Sequence, residues 1–158
     1  MKNNKGFTLA ELLIVVAIIA VVVAIAIPIF TTQLEKAREA TDVANIRDYY
    51  AEIATALLSG DLSDSGAAGT SATTQVGNNK TATVDGIADA AASGDTFTVT
   101  VAIAAADVHQ QVAEWQSGAQ SVAGVTIAAG ENMVGATQIE YTFTISADGD
   151  AYLSAIAF

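Results

Sequence analysis

Three observations on this 158-residue sequence predict an α+β fold, one long amino-terminal α-helix followed by a carboxy-terminal antiparallel β-sheet head. Residues 12–30 carry no polar side chain, an apolar stripe at helical spacing follows from Val43 to Leu57, and from Thr96 the apolar period changes to two. A period near 3.6 marks a helix face and a period of two marks a half-buried strand. The length suits one core of ordinary size. Six Lys and Arg against 17 Asp and Glu give a formal net charge of −11. Attraction to phosphate needs clustered cations, so no direct nucleic-acid binding is expected. There is no cysteine, which excludes a disulfide framework, a thiolate metal site and a thiol nucleophile.

The apolar run, LLIVVAIIAVVVAIAIPIF, is 19 residues long. As a helix it just spans a hydrocarbon core, since about 20 residues rising roughly 1.5 Å each reach about 30 Å. Val and Ile, mediocre helix formers in water, are held helical where no water competes for the backbone. Pro28 removes one internal hydrogen bond and is expected to kink the helix. Three readings fit the run. Met1 to Lys5 with the run and Ala24-Ile25-Ala26 fits a secretory signal peptide, and the run alone fits a plain membrane anchor. The third starts from Glu11, because a carboxylate at the edge of an apolar run is costly and calls for a partner. Lys2 and Lys5 precede the run and Lys36 and Arg38 follow it, so charge does not settle orientation.

Lys5-Gly6-Phe7-Thr8-Leu9-Ala10-Glu11, followed at once by the apolar run and Pro28, closely resembles the amino terminus of type IV pilins and related prepilin-like proteins. The resemblance covers roughly the first third of the chain and implies the pilin fold. It implies a leader ending at Gly6, cleavage between Gly6 and Phe7 by a prepilin peptidase, and N-methylation of Phe7. Glu11 then becomes the fifth residue of the mature chain. Cleavage creates an α-amino group at Phe7 that is mostly cationic near neutral pH. In a bundle of such helices the Glu11 carboxylate of one subunit can pair with the Phe7 amine of another. Such a pair gives little net stability, but leaving either charge unpaired in a dry bundle costs several kcal/mol, so it specifies register. Pairing of Glu11 with its own Phe7 amine is the intramolecular alternative. Where members of the family often carry Gly about eight residues before the proline, this chain has Ala20. Ala20 and Ala24 still permit close helix approach.

Beyond Phe30, Val43, Ile46, Tyr50, Ile53 and Leu57 form one apolar stripe. One helix is expected from about Thr8 to Ser59, on the order of 75 Å long, with Gly60 as its stop. The mixed-sign cluster Glu35, Lys36, Arg38, Glu39 and Asp42 reads as a solvated face, with salt bridges between filament neighbours as the other reading. Residues 60–94, rich in Gly, Ser, Thr, Ala and Asp, read as a long surface loop with short elements near Thr81 to Ile87. Strands are expected over Thr96 to Ile103, Val122 to Ala128, Ile139 to Ile145 and Ala151 to Phe158, the last pair joined by a hairpin at Asp148-Gly149. Ala105 to Trp115 reads as a short helix or an irregular crossing segment. The organisation is therefore 1–6 leader, 7–30 membrane and filament-core helix, 31–59 amphipathic helix, 60–95 surface loop and 96–158 sheet head.

No catalytic constellation is found. His109 is the sole histidine, so neither a Ser/His/Asp triad nor a multi-histidine metal site can form within one chain. Asp148 and Asp150 are assigned to turn chemistry rather than calcium binding. Asn79-Lys80-Thr81 matches a short glycosylation pattern that also occurs by chance. Tyr49 and Tyr50 are assigned to packing, with Tyr50 on the buried stripe. The expectation is a non-enzymatic subunit of a type IV pilus with no cofactor. By resemblance its partners are copies of itself in a helical homopolymer, the prepilin peptidase, a membrane platform with its assembly ATPase, minor pilins, and lipid before assembly. Its location is then the cytoplasmic membrane before assembly and a cell-surface filament afterwards, serving adhesion, motility, DNA uptake or secretion. A pseudopilin of a secretion or competence system is the main alternative. A secreted binding module released after Ala26 is the alternative from another class. With no disulfide to staple it, the head held by packing alone is expected to be marginally stable. Residues 31–158 in isolation are expected to melt below about 80 °C by calorimetry.

Overall fold

The structure, a computed structural model, describes residues 6–59, 72–76, 80–86 and 92–158. It divides into two units, Met1–Leu34 and Glu35–Phe158. One helix, α1 (Leu9–Ser59), is followed by β1 (Ala72–Val76), β2 (Lys80–Asp85), β3 (Thr96–Ala102), β4 (Gln120–Val122), β5 (Val125–Ile127), β6 (Gln138–Ile145) and β7 (Ala151–Ala157). The layout is α+β, with every strand pair antiparallel.

In the first unit α1 runs without interruption through Pro28. The hydroxyls of Thr31 and Thr32 both donate to the Pro28 carbonyl at 3.0 Å. Large side chains of the run are exposed all round, from Leu12 at 61% to Phe30 at 75%. A helix apolar on every face satisfies its own backbone, but among the described residues its side chains in the run are left exposed.

In the second unit the sheet has strand order β1-β2-β3-β6-β7. Alternation sends Phe97, Val99 and Val101 of β3 and Ile139, Tyr141 and Phe143 of β6 into the core. They face one another in the ladder as Phe97↔Phe143, Val99↔Tyr141 and Val101↔Ile139. Such cross-strand apolar pairs are what stabilise a sheet face. The rings of Phe97 and Phe143 stack with centroids 5.2 Å apart, and Tyr50 stacks on Phe143 at 6.4 Å. The cover for this face is α1, through Val43, Ile46, Tyr49 and Ile53. The buried Tyr141 hydroxyl donates to the Ile46 carbonyl at 2.8 Å, and burial pushes that phenol above its ordinary range.

The structure departs from the sequence reading in four places. Tyr49, rather than Tyr50, is fully on the buried stripe, while Tyr50 and Leu57 are half-buried. The two tyrosines flank the stripe, and packing against the sheet selects between them. Within residues 60–95, β2 lies where a short element was expected near Thr81 to Ile87, but β1 was not expected, and both join the sheet, with Ala82 and Val84 buried. Val122 to Ala128 is not one strand but the second half of a hairpin of β4 and β5. Its turn has Ala123 at φ 50° and Gly124 at φ 88°, the pair of left-handed conformations that suits strand twist. Ala105 to Trp115, by contrast, follows the irregular of its two readings, with a single 3-10 turn at Ala105–Asp107.

The fourth departure concerns charge. Glu35, Glu39 and Asp42 are buried, at 4%, 0% and 0% exposure, not solvated. They extend the apolar stripe towards the amino terminus, since 35, 39, 42, 46, 49 and 53 are spaced four, three, four, three and four apart. Arg38 stays beside them, its guanidinium 3.2 Å from Glu35.

Ile46 has no exposure, so Ile46→Ala is expected to lose about 2–5 kcal/mol of stability. Tyr141→Phe, which removes one buried hydrogen bond without a cavity, is expected to lose about 1 kcal/mol. Urea unfolding of the full chain in detergent checks both.

Candidate functional site

The candidate site is the stretch from Gly6 to Glu11, where extended chain enters α1 at Leu9. Gly6 stands in open space: a Cβ there would meet nothing within 4 Å. Among the described residues no packing demand accounts for glycine at this position. Phe7 is 89% exposed.

Thr8 is the last residue before the helix and Glu11 the third inside it. The Glu11 amide donates to the Thr8 hydroxyl oxygen at 3.3 Å, and the Thr8 amide donates to Glu11 Oε2 at 2.8 Å. The Thr8 hydroxyl also donates to Glu11 Oε2, at 2.7 Å. This is a capping box, in which two amides that a helix start leaves without partners are satisfied reciprocally. Carboxylate charge is also favoured at the positive end of the helix dipole. The partner that Glu11 requires at the edge of an apolar run is therefore Thr8. The signal was present in the sequence as Thr-x-x-Glu ahead of an apolar run, and reading Glu11 only as a partner for an amine passed over it. Phe7 and Glu11 are not brought into contact through an amine here, because the Gly6–Phe7 peptide bond is intact and the Phe7 nitrogen is an amide.

Pro28, the expected kink, lies within α1 with the two threonine hydroxyls on its carbonyl. His109 is tied to the Asp42 carboxylate through its amide and its ring Nδ1, the latter at 2.9 Å. Asp148 and Asp150 flank a turn closed by Ser146, whose hydroxyl accepts from the Asp150 amide at 3.1 Å. Of the glycosylation pattern, Asn79 lies outside the described residues and Lys80 and Thr81 are in β2. The Lys80 ammonium pairs with the Asp107 carboxylate and, with the Ala104 amide, holds it below the ordinary carboxylate range. Among the described residues no group of three or more His, Asp or Glu side chains is placed to hold a metal ion.

Thr8→Val deletes both hydroxyl contacts of the cap. The amides of Leu9, Ala10 and Glu11 are then expected to exchange with solvent faster than in the parent, with amides beyond Val15 unchanged, as hydrogen exchange of the full chain in micelles would read.

Residues 1–27 match the family model of the prokaryotic N-terminal methylation motif. A stretch of 48 residues, 30% of the chain, is 46% identical to the type IV wide pilus major component PilA4 of Thermus thermophilus. That stretch spans 37% of the relative's length. No solved structure gave a significant match. The first 27 residues thus carry the prokaryotic N-terminal methylation motif, and a 48-residue stretch of the chain is similar to a type IV pilus component.

Proposed function

We propose that the chain is a structural subunit of a type IV pilus, cut after Gly6 by a prepilin peptidase, N-methylated at Phe7 and polymerised through its amino-terminal helix. The observation that carries this reading is a helix apolar on all sides and exposed among the described residues, opening at Leu9 just after Gly6-Phe7-Thr8 and headed by Glu11. Such a helix has lipid as its surroundings before assembly and other copies of itself afterwards. Side-chain packing replaces lipid contact at little hydrophobic cost, so extraction into a filament is reversible in energy terms. The role is structural rather than catalytic. The precursor is held in the cytoplasmic membrane by α1, and the filament stands on the cell surface. A membrane platform and its ATPase supply the work, with minor pilins as further partners. In the filament the Phe7 amine of one subunit pairs with Glu11 of its neighbour.

The open space around Gly6 makes Gly6→Ala a clean probe of recognition, because the substitution strains nothing in the chain itself. It is expected to leave uncut precursor in the membrane. The parent is expected to lose about 0.7 kDa and begin at Phe7 with one added methyl, by intact mass and terminal sequencing. Glu11→Leu is expected to be cut and inserted normally but to yield no filaments by electron microscopy. A parent chain that begins at Ile27, or that remains at Met1 in cells with active peptidase, overturns the reading.

A further inference from the structure

The segment His109–Ser117 crosses the second unit without helix or strand, so its backbone amides find no ladder. Most of them find α1. Glu35 Oε1 accepts from the amides of Gln111 and Val112 at 2.6 and 2.8 Å. Glu39 accepts from the amides of Gln116 and Ser117 and from the Ser117 hydroxyl. Asp42 accepts from the amides of His109 and Gln110, the latter at 2.7 Å. Three carboxylates one helical turn apart therefore satisfy six amides of one irregular segment.

We propose that Glu35, Glu39 and Asp42 form an acid-labile clamp, and that acidification releases the segment His109–Ser117 from α1 while the five-stranded sheet stays folded. The two parts of the unit are held by different chemistry. The sheet is held by amide–carbonyl ladders that do not titrate, whereas the segment is held by carboxylate oxygens, and amide bonds to a carboxylate are charge-assisted and weakened by its protonation. Burial alone raises the Glu35 carboxyl. The Gln111 and Val112 amides and the Arg38 guanidinium outweigh it and hold that group below the ordinary range. A group depressed in the folded state contributes stability above its unfolded value and loses it as pH falls through the folded one, so release belongs on the acid side.

Other charges bear on the clamp. Arg38 bridges Glu35 and Gln111 and favours the closed form. His109 faces Asp42 through its amide and its ring Nδ1. Lys36 on α1, Glu114 on the segment, and the Lys80–Asp107 pair next to it add fixed charge without contacting the three carboxylates.

The reporter is already in place, because the chain's one tryptophan, Trp115, lies in the segment at 3% exposure. On titrating the full chain in detergent from about pH 7 to about pH 3, Trp115 emission is expected to shift to the red before the far-ultraviolet circular dichroism changes. Glu39→Gln is expected to move the emission midpoint up by about one pH unit or more, and Glu114→Gln to leave it in place. Should Glu39→Gln not fold, hydrogen exchange of the parent decides. Amides of Gln111, Val112, Gln116 and Ser117 are expected to lose at least about tenfold in protection relative to those of β3 and β6 on acidification. Emission unchanged to the end of the titration, or emission, dichroism and protection lost together in one transition, overturns the clamp.

Discussion

The core of the second unit, among the described residues, is arranged around one face of α1 between Glu35 and Ile53. A helix satisfies its own backbone, so what it offers to the rest of the chain is side chains at intervals of three and four. Over Val43, Ile46, Tyr49 and Ile53 those side chains are apolar and meet the alternating residues of β3 and β6. Over Glu35, Glu39 and Asp42 they are carboxylates and meet amides. The same stripe thus receives two kinds of partner. A sheet, whose polar groups are paired with one another, requires an apolar cover. An irregular segment, whose amides are not paired, requires acceptors. Burying a carboxylate is costly without hydrogen bonds and tolerable with several, and here each has at least two amide donors.

That arrangement explains which parts of the fold were legible in the sequence. The alternation of β3 and β6 announces itself through period, because burial follows hydrophobicity there, whereas the long apolar run shows in its unbroken composition and the hairpin between β6 and β7 in Asp148-Gly149. The stripe was legible only where it is apolar. Continued towards the amino terminus, its spacing lands on Glu35, Glu39 and Asp42, and residue type then argues for solvent while spacing argues for the interior. Spacing was the better guide, and the reason lay about seventy residues away in the chain, where no local pattern reveals it. Strand β1 was hard to read, and β2 showed only as a short element near Thr81 to Ile87, because threonine and alanine carry little hydrophobic contrast. The turn between β4 and β5 uses Ala123-Gly124 where Asn-Gly would have been recognisable.

At the amino terminus the sequence made Glu11 conspicuous, and the geometry shows what it does in the uncut chain. Charge at the lip of an apolar helix and amides without partners at its start are two liabilities, and Thr8 and Glu11 resolve both in one set of contacts. Along the chain stand a glycine with open space around it, an exposed phenylalanine and a carboxylate held one turn away.

The cap and the proposed contact between subunits do not compete for the same atoms. Both donors on Thr8 are satisfied by Oε2 of Glu11, and a carboxylate has about four lone-pair sites over its two oxygens. An amine arriving from a neighbour can be met at Oε1 while the cap remains closed. Pairing would then require no unwinding of the first turn, and the carboxylate would be held in position before its partner arrives. Held in that way, it loses less rotamer freedom on pairing than a free glutamate would. A glutamine at the same position keeps an acceptor for the Thr8 amide but offers an incoming cation no charge, so it separates the two functions of Glu11: the helix start is retained and the intersubunit pair is lost. Filaments absent with Glu11→Gln, while amide exchange over Leu9 to Glu11 matches the parent, would assign assembly to the charge. If exchange rose as well, the cap itself would be implicated.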